Sequence, residues 1–133
     1  MNVAQATASA GLAAMVALLD SGSIDIYSGT MPATPETAAT GTLLVTMTLS
    51  ATAGSTPAYT SPNMVSTLSF SAASFSPAAN GTAGYARAWQ SNGTTAVADL
   101  TVGTSGTDIV LGTTTISTGT TVTPSGTMSM PAV

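Results

Sequence analysis

Several short runs of this sequence alternate an apolar side chain with threonine or serine. In TLLVTMTLS (42–50) the alternation places four residues on the predicted inner face: Leu43, Val45, Met47 and Leu49. Leu44 interrupts this pattern, whereas SIDIYSG (23–29) keeps it, with Ile24 and Ile26 on one face. A period of two is typical of a strand with one buried face, and threonine is β-branched and packs well on a pleated surface. The sequence therefore predicts a β protein.

The stretch TAGYARAWQSNGTTAVADLTV (82–102) is typical of a β-hairpin. Its first arm has Tyr85, Arg87 and Trp89 on one face and small residues on the other. Asn92-Gly93 favours a tight turn in which both residues adopt positive φ. Arg87 is the only basic side chain of the sequence, and we expect it to pair with Asp99 across the hairpin. The alternative is a contact at an interface, where arginine is enriched.

One helix is predicted at the N-terminus. Leu12, Met15, Val16 and Leu19 have the spacing i, i+3, i+4, i+7 that lines one helix face, and Gly22 can end the helix. The first twenty residues lack the basic segment of a secretion signal. The pattern divides the chain into an N-terminal helix or arm (1–22) and a β domain (23–133). We expect the helix to cap the domain's own core; the alternative is an assembly arm laid on a neighbouring subunit.

Prolines and glycines separate the remaining segments. Pro32 and Pro35 predict a loop in GTMPATPETAAT (29–40), and STLSFSAASFS (66–76) predicts a further strand. Residues 103–133 predict two or three short strands separated by glycines, the last of them Gly126. Seven or eight short strands in all favour a mainly β fold, an antiparallel β-sandwich of the jelly-roll or immunoglobulin-like type with one short N-terminal helix.

Ionisable groups are scarce. Charged residues make up 5% of the chain, the net charge is −4, and there is one arginine with no lysine, histidine or cysteine. Counting along the sequence gives 26 threonines and 17 serines, so hydroxyl groups supply the surface polarity. Nucleic acid binding needs several basic residues in one footprint, and attraction to anionic membranes needs them too. We therefore expect neither nucleic acid nor membrane partners.

The same scarcity argues against catalysis. Without histidine or cysteine there is no ordinary general base near neutral pH and no zinc ligand set, and no loop concentrates oxygen ligands for calcium. The five acids, Asp20, Asp25, Glu36, Asp99 and Asp108, show no spacing that would bring two of them together. We expect no enzyme activity, no catalytic, cofactor-binding or metal-binding residues, and no cofactor.

Two further patterns have ordinary interpretations. Asn80 and Asn92 begin Asn-Gly-Thr sequences that match the glycosylation acceptor pattern, but both are interpreted as turns. Thr-X-Thr pairs such as Thr46/Thr48 and Thr113/Thr115 place two hydroxyls on one strand face, as ice-binding proteins do. Their intervals are irregular, whereas a flat solenoid needs a constant repeat. Ice binding is a remote alternative.

The order of several motifs resembles that of a family of small virion proteins encoded by tailed bacteriophages and prophages. IDIYSGTMP, GTAGYARAW, SNGT and VGTSGTDIVL follow the N-terminal helix in that order, and a threonine-rich end completes the pattern. The resemblance covers most of the chain from about Ser23 onward. It implies no catalytic residue.

The resemblance implies a structural role on the capsid surface of the virion. The expected function is that of a capsid decoration, or cement, protein bound over junctions between major capsid subunits. Major capsid protein or other virion proteins would be the partners, and the chain would form a homo-oligomer, a trimer or a dimer. The alternatives are a head-to-tail connector, a tail or fibre component, or an adhesin. Surface ions are few, so little charge desolvation opposes burial between subunits.

Apolar groups near the chain ends and in the proline-containing loop are the predicted contacts with other proteins, and Arg87 is added as a specific contact. Methionine is frequent among them and adapts to irregular surfaces. The predicted interface residues are Leu12, Met15, Val16, Leu19, Met31, Pro32, Pro35, Arg87, Met128, Met130, Pro131 and Val133.

Overall fold

A computed structural model describes residues 2–133. Within this range the chain forms one helix, α1 (Gln5–Ala17), and eleven strands. The strands are β1 (Ser23–Tyr27), β2 (Leu43–Gly54), β3 (Ala58–Thr60), β4 (Asn63–Phe70), β5 (Gly81–Thr82), β6 (Tyr85–Trp89), β7 (Ala96–Leu100), β8 (Val102–Gly103), β9 (Ile109–Val110), β10 (Thr115–Ile116) and β11 (Ser125–Pro131). Among the described residues no helix is long and apolar enough to cross a bilayer.

Nine of these strands belong to one sheet, in the order β7-β6-β1-β2-β4-β11-β9-β8, with β3 paired to β4 beside this path. The strands β8 and β9 are parallel, and the other neighbours are antiparallel. Although β7 and β8 stand at opposite ends of the order, Thr101 alone separates them in sequence. The sheet must therefore curl until its two ends meet at Thr101. A separate two-stranded sheet joins β5 and β10.

The prediction of a mainly β fold with one short helix is confirmed. The expectation of purely antiparallel pairing is wrong at β8 and β9. A β-sandwich consists of two packed sheets, whereas hydrogen bonds here join nine strands into one curled sheet. The sandwich architecture therefore stays a prediction. More strands form than the sequence predicts, since five of them are only two or three residues long and show no alternation.

A β-bulge decides which leucine of β2 enters the core. Ile26 pairs with Val45, but the next residue of β1, Tyr27, pairs with Leu43, so Leu44 is the extra residue. A bulge changes the side to which the following side chains point. Leu44 is consequently buried and Leu43 is 37% exposed. The prediction that Leu43 faces inward is wrong for this reason.

The N-terminal helix packs on the sheet, against β2, β4 and β11. Leu12 and Leu19 are fully buried in the core, and Val16 is nearly so. Met15 is partly buried against the same cluster. The prediction that this stripe caps the domain's own core is confirmed, and residues 1–22 include part of that core.

The predicted hairpin forms from β6 and β7, with Arg87 opposite Asp99. The turn differs from the predicted one. Gln90 N–H donates to the Thr95 carbonyl at 3.0 Å, which leaves a four-residue loop, and Gly93 has a φ of +71° whereas Asn92 does not have positive φ. The Asn92 Oδ1 accepts hydrogen bonds from the backbone N–H groups of Thr94 and Thr95, both at 2.9 Å. This local bonding by asparagine stabilises the wider turn.

Residues 28–42 contain no strand, as Pro32 and Pro35 predict. We call residues 29–41 the proline loop. Towards the C-terminus, Gly126 lies inside β11 and does not end a strand. Its position there is explained by close packing, because a Cβ at Gly126 would lie 2.7 Å from the Ile109 Cδ1.

Candidate functional site: a polar face beneath the proline loop

One face of β1, β6 and β7 gathers half of the charged and aromatic side chains of the chain. In the register of these strands Asp25 lies opposite Arg87, and Arg87 lies opposite Asp99. Tyr27 lies opposite Tyr85, and Ser23 lies opposite Trp89. Alternation places these side chains on the side away from Ile24 and Ile26. We call this set the polar face: Asp25, Tyr27, Tyr85, Arg87, Trp89 and Asp99.

Arg87 and Asp99 form a buried salt bridge at the centre of the polar face. The Arg87 Nε donates to Asp99 Oδ1 at 2.6 Å, and Nη2 donates to Oδ2 at 3.1 Å. The two side chains are only 2% and 5% exposed. The hydrogen bonds to Asp99 raise the pKa of Arg87 and keep it charged. The predicted intramolecular pair is confirmed.

The proline loop covers this face because β6 side chains bind its backbone. Arg87 Nη1 donates to the Thr37 carbonyl at 2.7 Å, and the Thr40 N–H donates to the Tyr85 hydroxyl at 3.0 Å. The Tyr85 ring stacks on Tyr27 with 5.3 Å between centroids. Tyr85 and Arg87 are therefore both buried, although they point away from the apolar core. The loop acts as a second layer over β6.

Asp25 is the least satisfied member of the polar face. Burial raises its pKa, while nearby donors on Thr46, Trp89 and Tyr27 act in the opposite direction. The Tyr27 hydroxyl reaches Asp25 Oδ2 at 3.5 Å, the outer limit for a hydrogen bond. Within residues 2–133, Asp25 Oδ1 and the indole N–H of Trp89 are buried without a hydrogen-bonding partner. A carboxyl in this environment has an increased affinity for a proton.

A cleft of about 440 Å³ opens where the proline loop meets the β6–β7 hairpin. We call it the Trp89 cleft. The Arg87 guanidinium carbon lies 5.8 Å from the centroid of the Trp89 ring, within the range of a cation–π contact. Residues from both elements line it: Glu36, Thr37, Arg87, Trp89, Thr94 and Thr95.

Asp25 and Asp99 flank Arg87 in one cross-strand row, with β6 between their strands. Both oxygens of Asp99 accept hydrogen bonds from Arg87, so this carboxylate is committed to the salt bridge. Over residues 2–133 no group of three or more His, Cys, Asp or Glu side chains is placed to bind a metal ion. The geometry holds a loop in place and forms one cleft beside it.

The predicted interface residues fall into three groups by burial. Five of them are buried within this chain, so their predicted role in binding another protein is replaced by packing in the fold: Leu12, Val16, Leu19, Arg87 and Met128. Met15 and Met130 are partly buried against the core. The remainder are exposed or half-buried and stay predicted contacts: Met31, Pro32, Pro35, Pro131 and Val133.

No site role was predicted from the sequence for Asp25, Tyr27, Glu36, Tyr85 or Trp89. The alternation in GYARAW does place Tyr85, Arg87 and Trp89 on one face. This alternation was the signal in the sequence from which part of the polar face could have been predicted. Adding Asp25 and Tyr27 needs the pairing of β1 with β6, two strands that are about 60 residues apart, a separation that follows from their bounds.

Comparison with known proteins gives no match. No family model, curated protein or solved structure matches the sequence or the fold.

Proposed function

We propose that this protein is a structural component of a bacteriophage particle, a capsid decoration protein that binds over junctions between major capsid subunits. The motif order described above supports the phage context. The surface supports a role in permanent contact with other proteins.

The observation that carries the proposal is how few charged side chains the fold has: one ion pair is buried, and only four carboxylates lie outside it. Asp99 is buried with Arg87, and Asp20 Oδ1 accepts a hydrogen bond from the Ala53 N–H at 2.8 Å. Asp108 Oδ2 accepts from both the N–H and the hydroxyl of Thr101 at 3.1 Å. Because burying an unpaired ion is costly, a surface with few free ions can be covered by another subunit at low desolvation cost.

Exposed apolar side chains add area for such contacts. Five large ones are at least 36% exposed: Leu18, Met31, Leu43, Tyr59 and Val133. Covering them would gain roughly 25 cal/mol for each Å² of apolar surface removed from water. Single exposed apolar residues are common on monomers, so their support is secondary to that of the sparse charge.

The test is the copy number in purified particles of the phage or prophage that encodes the chain. Quantitative mass spectrometry would give the ratio of this protein to the major capsid protein. A decoration protein is expected on the order of hundreds of copies, because shell symmetry repeats its site. A copy number of about six to twelve would contradict decoration and favour a connector, tail or fibre component, since those form closed rings. Absence from the particle would overturn a virion role.

A further inference from the structure

We propose that the Trp89 cleft receives a lysine or arginine side chain of a partner protein whose sequence differs from this one. This inference rests on the proposed function, because it names how a virion partner would be recognised.

Charge at the cleft selects the occupant. Arg87 and Asp99 neutralise each other through two hydrogen bonds. Glu36, which is exposed and lines the cleft, has no hydrogen-bonding or charged partner among residues 2–133. An incoming cation would therefore gain an unopposed carboxylate, whereas an anion would be repelled. The Arg87 guanidinium already lies over the Trp89 ring, so the preference for a cation comes from Glu36.

The lining of the cleft fits a long basic side chain. Its volume of about 440 Å³ lies within the range of small-ligand sites. Pro35, Ala38 and Ala96 supply apolar surface on which a methylene stem can lie, and the Thr94 and Thr95 residues add polar groups. A neutral apolar side chain would leave Glu36 unused, so it would gain less from the site.

A second copy of this chain cannot supply the cation from a side chain. Arg87 is the only basic residue in the sequence, and it is 2% exposed in its own salt bridge. The donor must therefore belong to a different protein. This is the feature that makes the contact specific for a heterologous partner, in addition to any contact between copies.

The sequence has one tryptophan, so fluorescence and the indole N–H resonance both report on this cleft. The probes are the capped peptides acetyl-Gly-Lys-Gly-amide and acetyl-Gly-Arg-Gly-amide, with acetyl-Gly-norleucine-Gly-amide as the neutral analogue. We expect saturable changes in the Trp89 signals with the two basic peptides at low salt. The changes should weaken as salt is added, because exposed charges are screened.

Two variants separate this site from a general charge effect. Glu36→Gln should weaken binding of the basic peptides by about twofold to fivefold, the range of a surface ion pair. Asp108→Asn removes the same charge elsewhere, keeps a hydrogen-bond acceptor for Thr101, and should leave binding unchanged. An equal response to the norleucine peptide, an equal effect of both substitutions, or binding of a neutral disaccharide with no response to the basic peptides would overturn the proposal.

Particle binding distinguishes this inference from the proposed function. If the protein is abundant on particles but the basic peptides do not bind, the cleft assignment fails and the decoration role stands. If the peptides bind and Glu36→Gln weakens them, but the protein is absent from particles, the cleft assignment stands and the virion role fails.

Discussion

Arg87 and Asp99 meet across β6 and β7 through two parallel hydrogen bonds, Nε to Oδ1 at 2.6 Å and Nη2 to Oδ2 at 3.1 Å. The remaining nitrogen, Nη1, binds the carbonyl of Thr37, which is 50 residues away in sequence. The salt bridge therefore links the hairpin to the proline loop. Arg87, the single basic residue of the chain, therefore holds the polar face and the proline loop together.

Removing one partner of this pair should be costly. Asp99→Asn leaves the Arg87 guanidinium buried without its carboxylate, and we expect a loss of about 3–5 kcal/mol in the free energy of unfolding, measured with urea. The double variant Arg87→Met with Asp99→Leu should lose less, because no charge stays unpaired. Asp99→Asn as stable as Asp108→Asn would contradict the buried pair.

Leu12 tests whether α1 belongs to the core. It is fully buried, so Leu12→Ala should reduce the free energy of unfolding by about 2–5 kcal/mol. Leu18, in the same segment, is 49% exposed, and Leu18→Ala should change it by less than about 0.5 kcal/mol. Chemical denaturation of both variants measures the difference. Similar small effects would indicate a detached arm.

Gly84 tests the approach of the proline loop to β6. A Cβ at this position would lie 2.0 Å from the carbonyl oxygen of Gly29, which is backbone and cannot rotate away. Gly84→Ala should lower the melting temperature through a loss of roughly 1–3 kcal/mol. A Cβ at Gly119 would have no atom within 4 Å, and Gly119 does not have positive φ. Gly119→Ala is therefore the control. A melting temperature unchanged in Gly84→Ala would show that the loop is not held there.

Asp25 should make stability depend on pH. Burial raises its pKa above the value of 3.8 for the unfolded chain, so the folded chain keeps a proton that the unfolded chain has lost. The contribution of this group is therefore greatest below the unfolded pKa and is lost as pH rises through the folded pKa. We expect wild type to lose stability relative to Asp25→Asn over that interval, in urea titrations from about pH 3.5 to about pH 7. Parallel curves for the two proteins would disprove the raised pKa.

The elements that sequence reasoning predicted are those with a local cause. The helix stripe at Leu12 and Val16, the alternation at Ile24 and Ile26, and the loop at Pro32 all follow from spacing within a few residues. Backbone periodicity alone sets which side chains share a face in such segments. The error at Leu43 came from a bulge that shifts the alternation of β2, and the error at Asn92 came from a side chain that bonds its own turn.

By itself the sequence determined that the chain would be mainly β, with one helix and an almost uncharged surface, because composition and short-range pattern are properties of contiguous residues. Only the tertiary structure decided that Asp25, Arg87 and Asp99 lie in one row, and that Arg87 binds the backbone of the proline loop. The physical reason is that pairing between distant strands depends on the entropy cost of closing the loops between them and on the surface that the whole fold buries. No local pattern carries that information.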